Sequence, residues 1–188
     1  MTNLFKVLSK ISIILFYVLS AFGMLIIVLD SFRVFAPDSA ITKSLGEVEP
    51  IFSYLNLNFH EQPAVYSQKS FLMLSLVSTI TTFAVVVLFL WFMHKLLKNI
   101  HTDSLFMIEN VSILMKMGLT IMIIGAASSL IEGILINRSL SDVQIANATI
   151  SYSNIQFADY VINGIVLIIF SLALKKAVIA VEENKHTI

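Results

Sequence analysis

Glu132 is the residue of this chain with the clearest capacity for chemistry, because it is a carboxylate inside a long apolar segment. It lies in the segment 117–136, about 6 Å from one end at 1.5 Å per helical residue. A carboxylate at that depth must pair with a cation, reach water or take up a proton, since an isolated charge in hydrocarbon is costly. Glu132 is therefore a candidate for ligand binding or proton coupling. The alternative is a shallow structural ion pair.

Further polar side chains fall at a similar depth in the neighbouring apolar segments. Either Arg138 or Arg33 could neutralise Glu132, and the sequence does not choose between them. We expect one polar intramembrane cluster, with Asn137 beside it, whose members are Glu132, Arg138, Asp30, Asp159 and Asn163.

The sequence contains no recognisable catalytic, metal-binding or cofactor-binding motif. His60 and Glu61 begin like a zinc-protease motif, but the second histidine is missing and Pro63 would break the required helix. The chain has no cysteine, which excludes thiolate metal ligands and cysteine nucleophiles. Glycine-rich phosphate loops and nucleophile elbows are also absent from the sequence. We therefore predict a protein that is not an enzyme, with no cofactor and no metal.

Four apolar segments must position the candidate residues. Hydrophobic residues make up 57% of the chain and charged residues only 13%, against about a quarter in soluble domains. A helix needs about 20 apolar residues to cross a bilayer, and the first segment is too long for a secretory signal. The predicted fold is all-α: one domain of residues 1–188 forming an integral membrane four-helix bundle. Its spans are predicted at about 11–30, 71–93, 117–136 and 158–178.

The distribution of basic residues predicts the orientation of these spans. Cytoplasmic flanks retain an excess of Lys and Arg, and placing both termini inside puts eight basic residues in the cytoplasm against four outside. The outer loops are then 31–70 and 137–157, and the cytoplasmic connection is 94–116. The formal net charge of zero argues against direct nucleic-acid binding. We expect a multi-pass protein of the cell (inner) membrane whose constant partner is the lipid bilayer.

Small and hydroxyl side chains predict a helix-packing face. Gly125, Ser129 and Gly133 recur every four residues on the third span, so another backbone can approach closely. A matching stripe on the second span consists of Ser75, Thr79 and Thr82. We expect the second and third spans to touch through these residues. The alternative is that the glycine stripe joins two copies in a homo-oligomer.

The cytoplasmic connection has the pattern of an amphipathic helix. Asp103 is placed to cap it, and apolar residues recur at helical spacing from Phe106 to Ile113. This predicts an interfacial helix before the third span, acting as an elbow or as a docking face for a cytoplasmic protein. The candidate docking residues, including those of the C-terminal tail, are Phe106, Glu109, Asn110, Glu182, Glu183 and Asn184.

The outer loops predict a small, β-containing extracytoplasmic cap. Segments 53–59 and 64–67 look extended, and polar and apolar residues alternate along 146–153. Such a cap could bind a peptide along a strand edge or simply cover the helix ends.

Two segments carry a resemblance to a known family: Asp103-Ser104-Leu105-Phe106-Met107-Ile108-Glu109-Asn110-Val111 and the ending Val181-Glu182-Glu183-Asn184-Lys185-His186-Thr187-Ile188. They resemble the bacterial membrane proteins grouped as domain of unknown function 2975. Members of that family have four spans, a Phe-x-x-Glu-Asn-like motif leading into the third span, and a similar tail. The resemblance implies a bacterial inner-membrane protein without an assigned reaction, often encoded beside a helix-turn-helix regulator.

These observations favour a non-enzymatic membrane protein that acts by partner binding or signalling. In that interpretation a cytoplasmic protein binds the connection or the tail, while the outer cap or the Glu132 cluster senses a signal. Two alternatives stay open: a small transporter or channel subunit that uses Glu132, and an immunity protein against a peptide toxin.

Overall fold

The computed structural model describes residues 2–48, 50, 52, 53, 55, 57, 59–141, 143, 150 and 152–185. The ordered elements within those ranges are helices, and no strand occurs among these residues. They are α1 (Thr2–Phe35), α2 (Ala40–Ser44), a 3-10 turn (Ala64–Ser67), α3 (Lys69–Thr102), α4 (Ile108–Thr120), a π-helical turn (Ile121–Gly125), α5 (Ala126–Leu140) and α6 (Gln156–Lys185).

Four of the helical stretches are long and apolar enough to cross a membrane, as the composition predicted. α4, the π-helical turn and α5 form one such stretch, Ile108–Leu140. All four stretches exceed the predicted spans. α1, for example, has 34 residues and is about 50 Å long, whereas a hydrocarbon core is about 30 Å thick. The chain is therefore a multi-pass membrane protein whose helices extend beyond the apolar segments at both ends.

We call the end of the bundle at which residues 36–68 connect α1 to α3 the outer end, and the opposite end the inner end. At the inner end the predicted interfacial elbow is not a separate helix, because α4 begins at Ile108 and continues into the third span. Its N-cap is Met107 rather than Asp103, and the Asp103 carboxylate instead accepts a hydrogen bond from the Thr102 hydroxyl.

The helices pack in an open row rather than a closed bundle. α1 packs on α3, α3 on α4 and α5, and these two on α6; in the described part of the chain α1 contacts neither α5 nor α6. α4 and α6 cross most closely at two glycines: a Cβ added to Gly118 would lie 2.8 Å from the Gly164 carbonyl oxygen. This close crossing holds the last span against the third.

The outer loop folds back onto the helix ends around a small apolar core. Val65, Tyr66, Phe71 and Leu135 are buried together, and the rings of Tyr66 and Phe71 stack with centroids 4.9 Å apart. Ala64–Ser67 forms the 3-10 turn rather than the predicted extended segment. Most of the alternating stretch 146–153 lies outside the described residues, as do residues 54, 56 and 58 of the other predicted extended segment. Val48 and Phe52 of the same loop pack against this core, which holds the loop over the outer ends of the helices.

Candidate functional site

A cavity of about 380 Å³, with both polar and apolar walls, lies at the outer end between α1, α3 and α5. The outer loop contributes to its lining through Val48, Pro50, Phe52 and Ser53, so the loop covers a gap that the open helix row leaves between α1 and α5. Its lining contains two carboxylates, one guanidinium and five hydroxyl groups, from Asp30, Glu132, Arg33, Ser53, Ser75, Ser78, Thr79 and Thr82. The cavity thus combines charge and hydrogen-bonding capacity at a depth where the helices are otherwise apolar.

Glu132 is held by the outer loop. Its Oε1 accepts a hydrogen bond from the Ser53 backbone N–H, and its Oε2 accepts one from the Ser53 hydroxyl at 3.1 Å. Glu132 is half-buried, about 12 Å from the last residue of α5 at 1.5 Å per residue. The carboxylate is therefore satisfied by two donors of one loop residue rather than by a cation.

Asp30 connects α1 to α3 on another wall of the cavity. The Thr79 hydroxyl lies 3.1 Å from Asp30 Oδ2 and also 3.1 Å from the Ser75 carbonyl oxygen. Asp30 is half-buried. It places a second carboxylate in the same cavity as Glu132.

Arg33 lines the cavity but directs its donors at the loop. Its Nη2 donates to the carbonyl oxygen of Leu45 at 3.2 Å and to that of Glu47 at 3.5 Å. Arg138, the other candidate partner of Glu132, is exposed and lies 3.5 Å from the Ser70 hydroxyl. Within the described ranges neither arginine forms an ion pair with Glu132, so the cavity lining carries one carboxylate more than it has guanidinium groups.

The predicted polar cluster is divided by the fold. Asp30 and Glu132 share the cavity, whereas Arg138, Asp159 and Asn163 are exposed and do not line it. Asp159 and Asn163 belong to α6, which lies at the far side of the helix row from α1. Their similar depth in the sequence did not reveal this separation.

The two small-residue stripes also have different neighbours. Ser75, Thr79 and Thr82 line the cavity, and the Thr82 hydroxyl meets Ser128 on the third span at 2.8 Å. The glycine stripe instead packs on α6 and the segment before it: a Cβ added at Gly125 would meet the Tyr160 ring, and one added at Gly133 would meet the Asn154 side chain. Ser129, between the two glycines, donates to Asn154 Oδ1 at 3.1 Å. The second and third spans thus touch through Ser128, one position from the predicted stripe.

Sequence reasoning missed Ser53 and Asn154, which are short polar residues in loops. Each reaches an α5 residue through the folded chain, Ser53 to Glu132 and Asn154 to Ser129. Neither has a periodic pattern or a neighbouring motif that would mark it. The serine hydroxyls and the carboxylate within the apolar sequence of α5 were the available signal, because such groups need hydrogen-bond partners from elsewhere in the chain.

The candidate docking residues at the inner end are mostly exposed. Phe106, Glu109, Glu182, Glu183 and Asn184 lie on the surface. Asn110 is completely buried, however: its Nδ2 donates to the carbonyl oxygens of Ser104 and Leu105, and its Oδ1 accepts from Asn99. Asn110 therefore joins α3 to α4 and is not available for docking.

The lining of the outer cavity supplies negative charge and hydrogen-bond acceptors. Its carboxylates and hydroxyls can accept hydrogen bonds from an amine or coordinate a small cation. No group of three or more His, Cys, Asp or Glu placed to hold a metal ion occurs in the described ranges. Comparison of the chain with protein-family models, curated proteins and solved structures found no match.

Proposed function

We propose that this chain is a non-enzymatic multi-pass protein of the bacterial inner membrane, related to the domain of unknown function 2975 family, that senses a solute in the outer cavity and signals by partner binding. The observation that carries the proposal is the attachment of Ser53 to Glu132. Because of this attachment, a ligand bound to the Glu132 carboxylate would change the position of the outer loop, and movement of the loop would change access to Glu132.

A solute that binds Glu132 competes directly with Ser53. Hydrogen bonds to a charged group contribute about 1.5–3 kcal/mol each, so a ligand that replaces the Ser53 donors shifts the loop equilibrium by a comparable amount. Arg33 holds the same loop at Leu45 and Glu47. The outer loop is therefore held to the cavity lining at two places, and the Ser53–Glu132 contact is the one that a bound cation displaces.

The lining favours a small amine or another small cation as the solute. Asp30 and Glu132 supply two carboxylates, and five hydroxyl oxygens can also accept hydrogen bonds. The guanidinium of Arg33 is already engaged with loop carbonyls, which weakens its capacity to recruit an anion. The net negative lining selects for positive charge.

The inner end offers the surface for a cytoplasmic partner. Ser171 donates to the carbonyl oxygen of Val111, and Gly164 lies opposite Gly118, which places Ile108 level with Leu174. The end of α6 therefore extends about 17 Å beyond the start of α4. Its exposed residues Glu182, Glu183 and Asn184 form an acidic projection. We place both termini in the cytoplasm on the distribution of lysines.

Amide hydrogen exchange tests the sensing proposal directly. Putrescine, Na⁺ and K⁺ are the probes, added to the protein in nanodiscs while exchange at the Ser53 amide is followed. At least one probe is expected to accelerate exchange, because it displaces Ser53 from Glu132. The effect should disappear in Glu132→Gln and persist in Asp159→Asn, a matched change of an exposed carboxylate on α6. Unaltered exchange with every probe, or equal loss in both variants, contradicts the proposal.

Signalling requires a second experiment at the inner end. Cytoplasmic proteins cross-linked to the native chain are compared with those cross-linked to a chain shortened by residues 182–188. Loss of specific cross-links supports the α6 projection as a docking surface, and an unchanged set contradicts it.

Transport is the second candidate function, because a carboxylate in a polar intramembrane cavity can also lie on a solute path. The cavity reaches only to Phe83 on α3, about 21 Å from the outer start of a helix about 51 Å long. This confinement to the outer end favours sensing. Proton or Na⁺ flux into proteoliposomes that is lost in Glu132→Gln would establish transport instead.

A further inference from the structure

A second polar cavity, of about 400 Å³, lies at the inner end between α3 and α4. Lys95, Lys98 and Asn99 line it from α3, at spacings of three and four residues. Glu109, Ser112, Ile113 and Lys116 line it from α4 with the same helical periodicity. Two antiparallel helix faces therefore converge on one groove.

The groove carries an excess of positive charge. Three lysines and one glutamate line it, and Lys95, Lys98 and Lys116 are all exposed. In the part of the chain that the structure describes, none of these lysines forms an ion pair. The Lys95 ammonium instead lies 4.9 Å from the centroid of the Trp91 ring. Three ammonium groups are thus available to an anion from outside the protein.

The position of the groove along the helices places it at the edge of the hydrocarbon. Lys95 follows the apolar segment 71–93 almost immediately, and Lys116 directly precedes the apolar segment 117–136. Trp91, one helical turn before Lys95, is of the residue type enriched at membrane interfaces. Lipid phosphate groups lie at this depth.

We propose that the groove binds the phosphate headgroup of an anionic phospholipid in the leaflet at the inner end. The lysines supply charge, and the Ser112 hydroxyl supplies a further donor. Basic pockets between membrane helices are suited to anionic headgroups because each lysine near the surface adds electrostatic attraction. The proposal requires only the membrane location and is independent of the outer cavity.

Quenching of Trp91 fluorescence tests the proposal, because Trp91 is the only tryptophan in the sequence. The protein is reconstituted in phosphatidylcholine vesicles containing increasing fractions of brominated phosphatidylglycerol or, in parallel, brominated phosphatidylcholine. The brominated anionic lipid should quench Trp91 at a lower mole fraction. One lysine contributes about fivefold in affinity, so Lys95→Gln, Lys98→Gln and Lys116→Gln combined should remove the preference almost completely.

Two variants distinguish a specific groove from general attraction to the surface. The combination Lys10→Gln, Lys175→Gln and Lys176→Gln removes three exposed lysines outside the groove and should leave the preference intact. Glu109→Gln removes the single acid in the groove and should strengthen the preference. Equal losses in the two triple variants, or no gain in Glu109→Gln, overturn the proposal. Circular dichroism confirms that each variant retains its helix content.

A soluble anion tests the source of the phosphate. Glycerol phosphate at millimolar concentration should leave the quenching by brominated phosphatidylglycerol unchanged, because it lacks the acyl chains that anchor a lipid at this depth. Complete displacement of the lipid by glycerol phosphate would assign the groove to free phosphate compounds and overturn the lipid proposal.

Discussion

Ser53 donates its backbone N–H and its hydroxyl to the two carboxylate oxygens of Glu132, a residue 79 positions further along the chain. The outer loop is thereby attached to the third span at the one carboxylate of the segment 117–136. Each donor of Ser53 bonds a different carboxylate oxygen, so both bonds form only when Ser53 and Glu132 are held in this relative position. The loop and the helix consequently cannot separate without exposing two hydrogen-bonding groups of each residue.

Replacing Glu132 with alanine should free the loop segment around Ser53. Loss of hydrogen bonds to a charged acceptor costs about 1.5–3 kcal/mol, which corresponds to about a tenfold to hundredfold faster exchange of the Ser53 amide. Ser53→Ala should have a smaller effect, because the backbone N–H can still donate to Oε1. Exchange measured on peptides containing residue 53 gives both values.

The matched control is Asp159→Ala, which removes an exposed carboxylate from α6. Exchange at Ser53 should be the same in this control as in the native chain. Equal acceleration in Glu132→Ala and Asp159→Ala would show that the Ser53–Glu132 attachment does not hold the loop.

Asn110→Ala should destabilise the inner end. The Asn110 side chain is fully buried and makes three hydrogen bonds, to Asn99, Ser104 and Leu105. Its removal leaves buried polar groups without partners, at about 1–3 kcal/mol, and should lower the thermal midpoint and speed proteolysis in the connection 103–107. Asn163→Ala, at an exposed position of α6, is the control and should change neither property. A native midpoint in Asn110→Ala would contradict the assigned bonding role.

The glycine crossing of α4 and α6 should not tolerate a methyl group. An alanine Cβ at Gly118 would lie 2.8 Å from a backbone oxygen of Gly164, and one at Gly164 would lie 2.6 Å from Met122 Cβ. The helices must separate to relieve these contacts, so each Gly→Ala change should cost about 1–3 kcal/mol of unfolding free energy in detergent. Gly23→Ala is the comparison, since its close neighbour is the Phe83 side chain. That ring can move, so the loss of unfolding free energy in Gly23→Ala should be smaller. An equal loss would show that the backbone contact between α4 and α6 is no less tolerant of a methyl group than a side-chain contact.

The sequence predicted the membrane spans because their signal is local. Twenty consecutive apolar residues indicate a span whatever the neighbours are, and all four predicted spans lie inside long helices. The same reasoning could not define the helix ends. Asp103 has the residue type of a cap, but three hydrogen bonds of the buried Asn110 organise the connection and start α4 four residues later.

The depth of a residue along its helix can be read from the sequence, but the side of the helix row that it faces cannot. The predicted polar cluster therefore contained residues of similar depth that face different ways. Asp30 and Glu132 share a cavity, but Asp159 lies on the opposite side of the helix row. The order of the helices in the row depends on which helix faces pack together. A stripe of small residues shows that a helix can approach closely, but it does not show which helix. The glycine stripe thus packs on Tyr160 and Asn154, while Thr82 hydrogen-bonds to Ser128.

The Thr82–Ser128 hydrogen bond, 2.8 Å long, should show measurable coupling between α3 and α5. In a double-mutant cycle, Thr82→Ala, Ser128→Ala and their combination should give an interaction free energy of about 0.6 kcal/mol, typical of hydrogen bonds between membrane helices. The control pairs Thr81→Ala with Ser128→Ala, because the Thr81 hydroxyl bonds carbonyl oxygens of its own helix at Val77 and Ser78. That cycle should be additive. Coupling in the control as large as in the test pair would mean that substitutions on α3 act through the helix as a whole, and not through this bond.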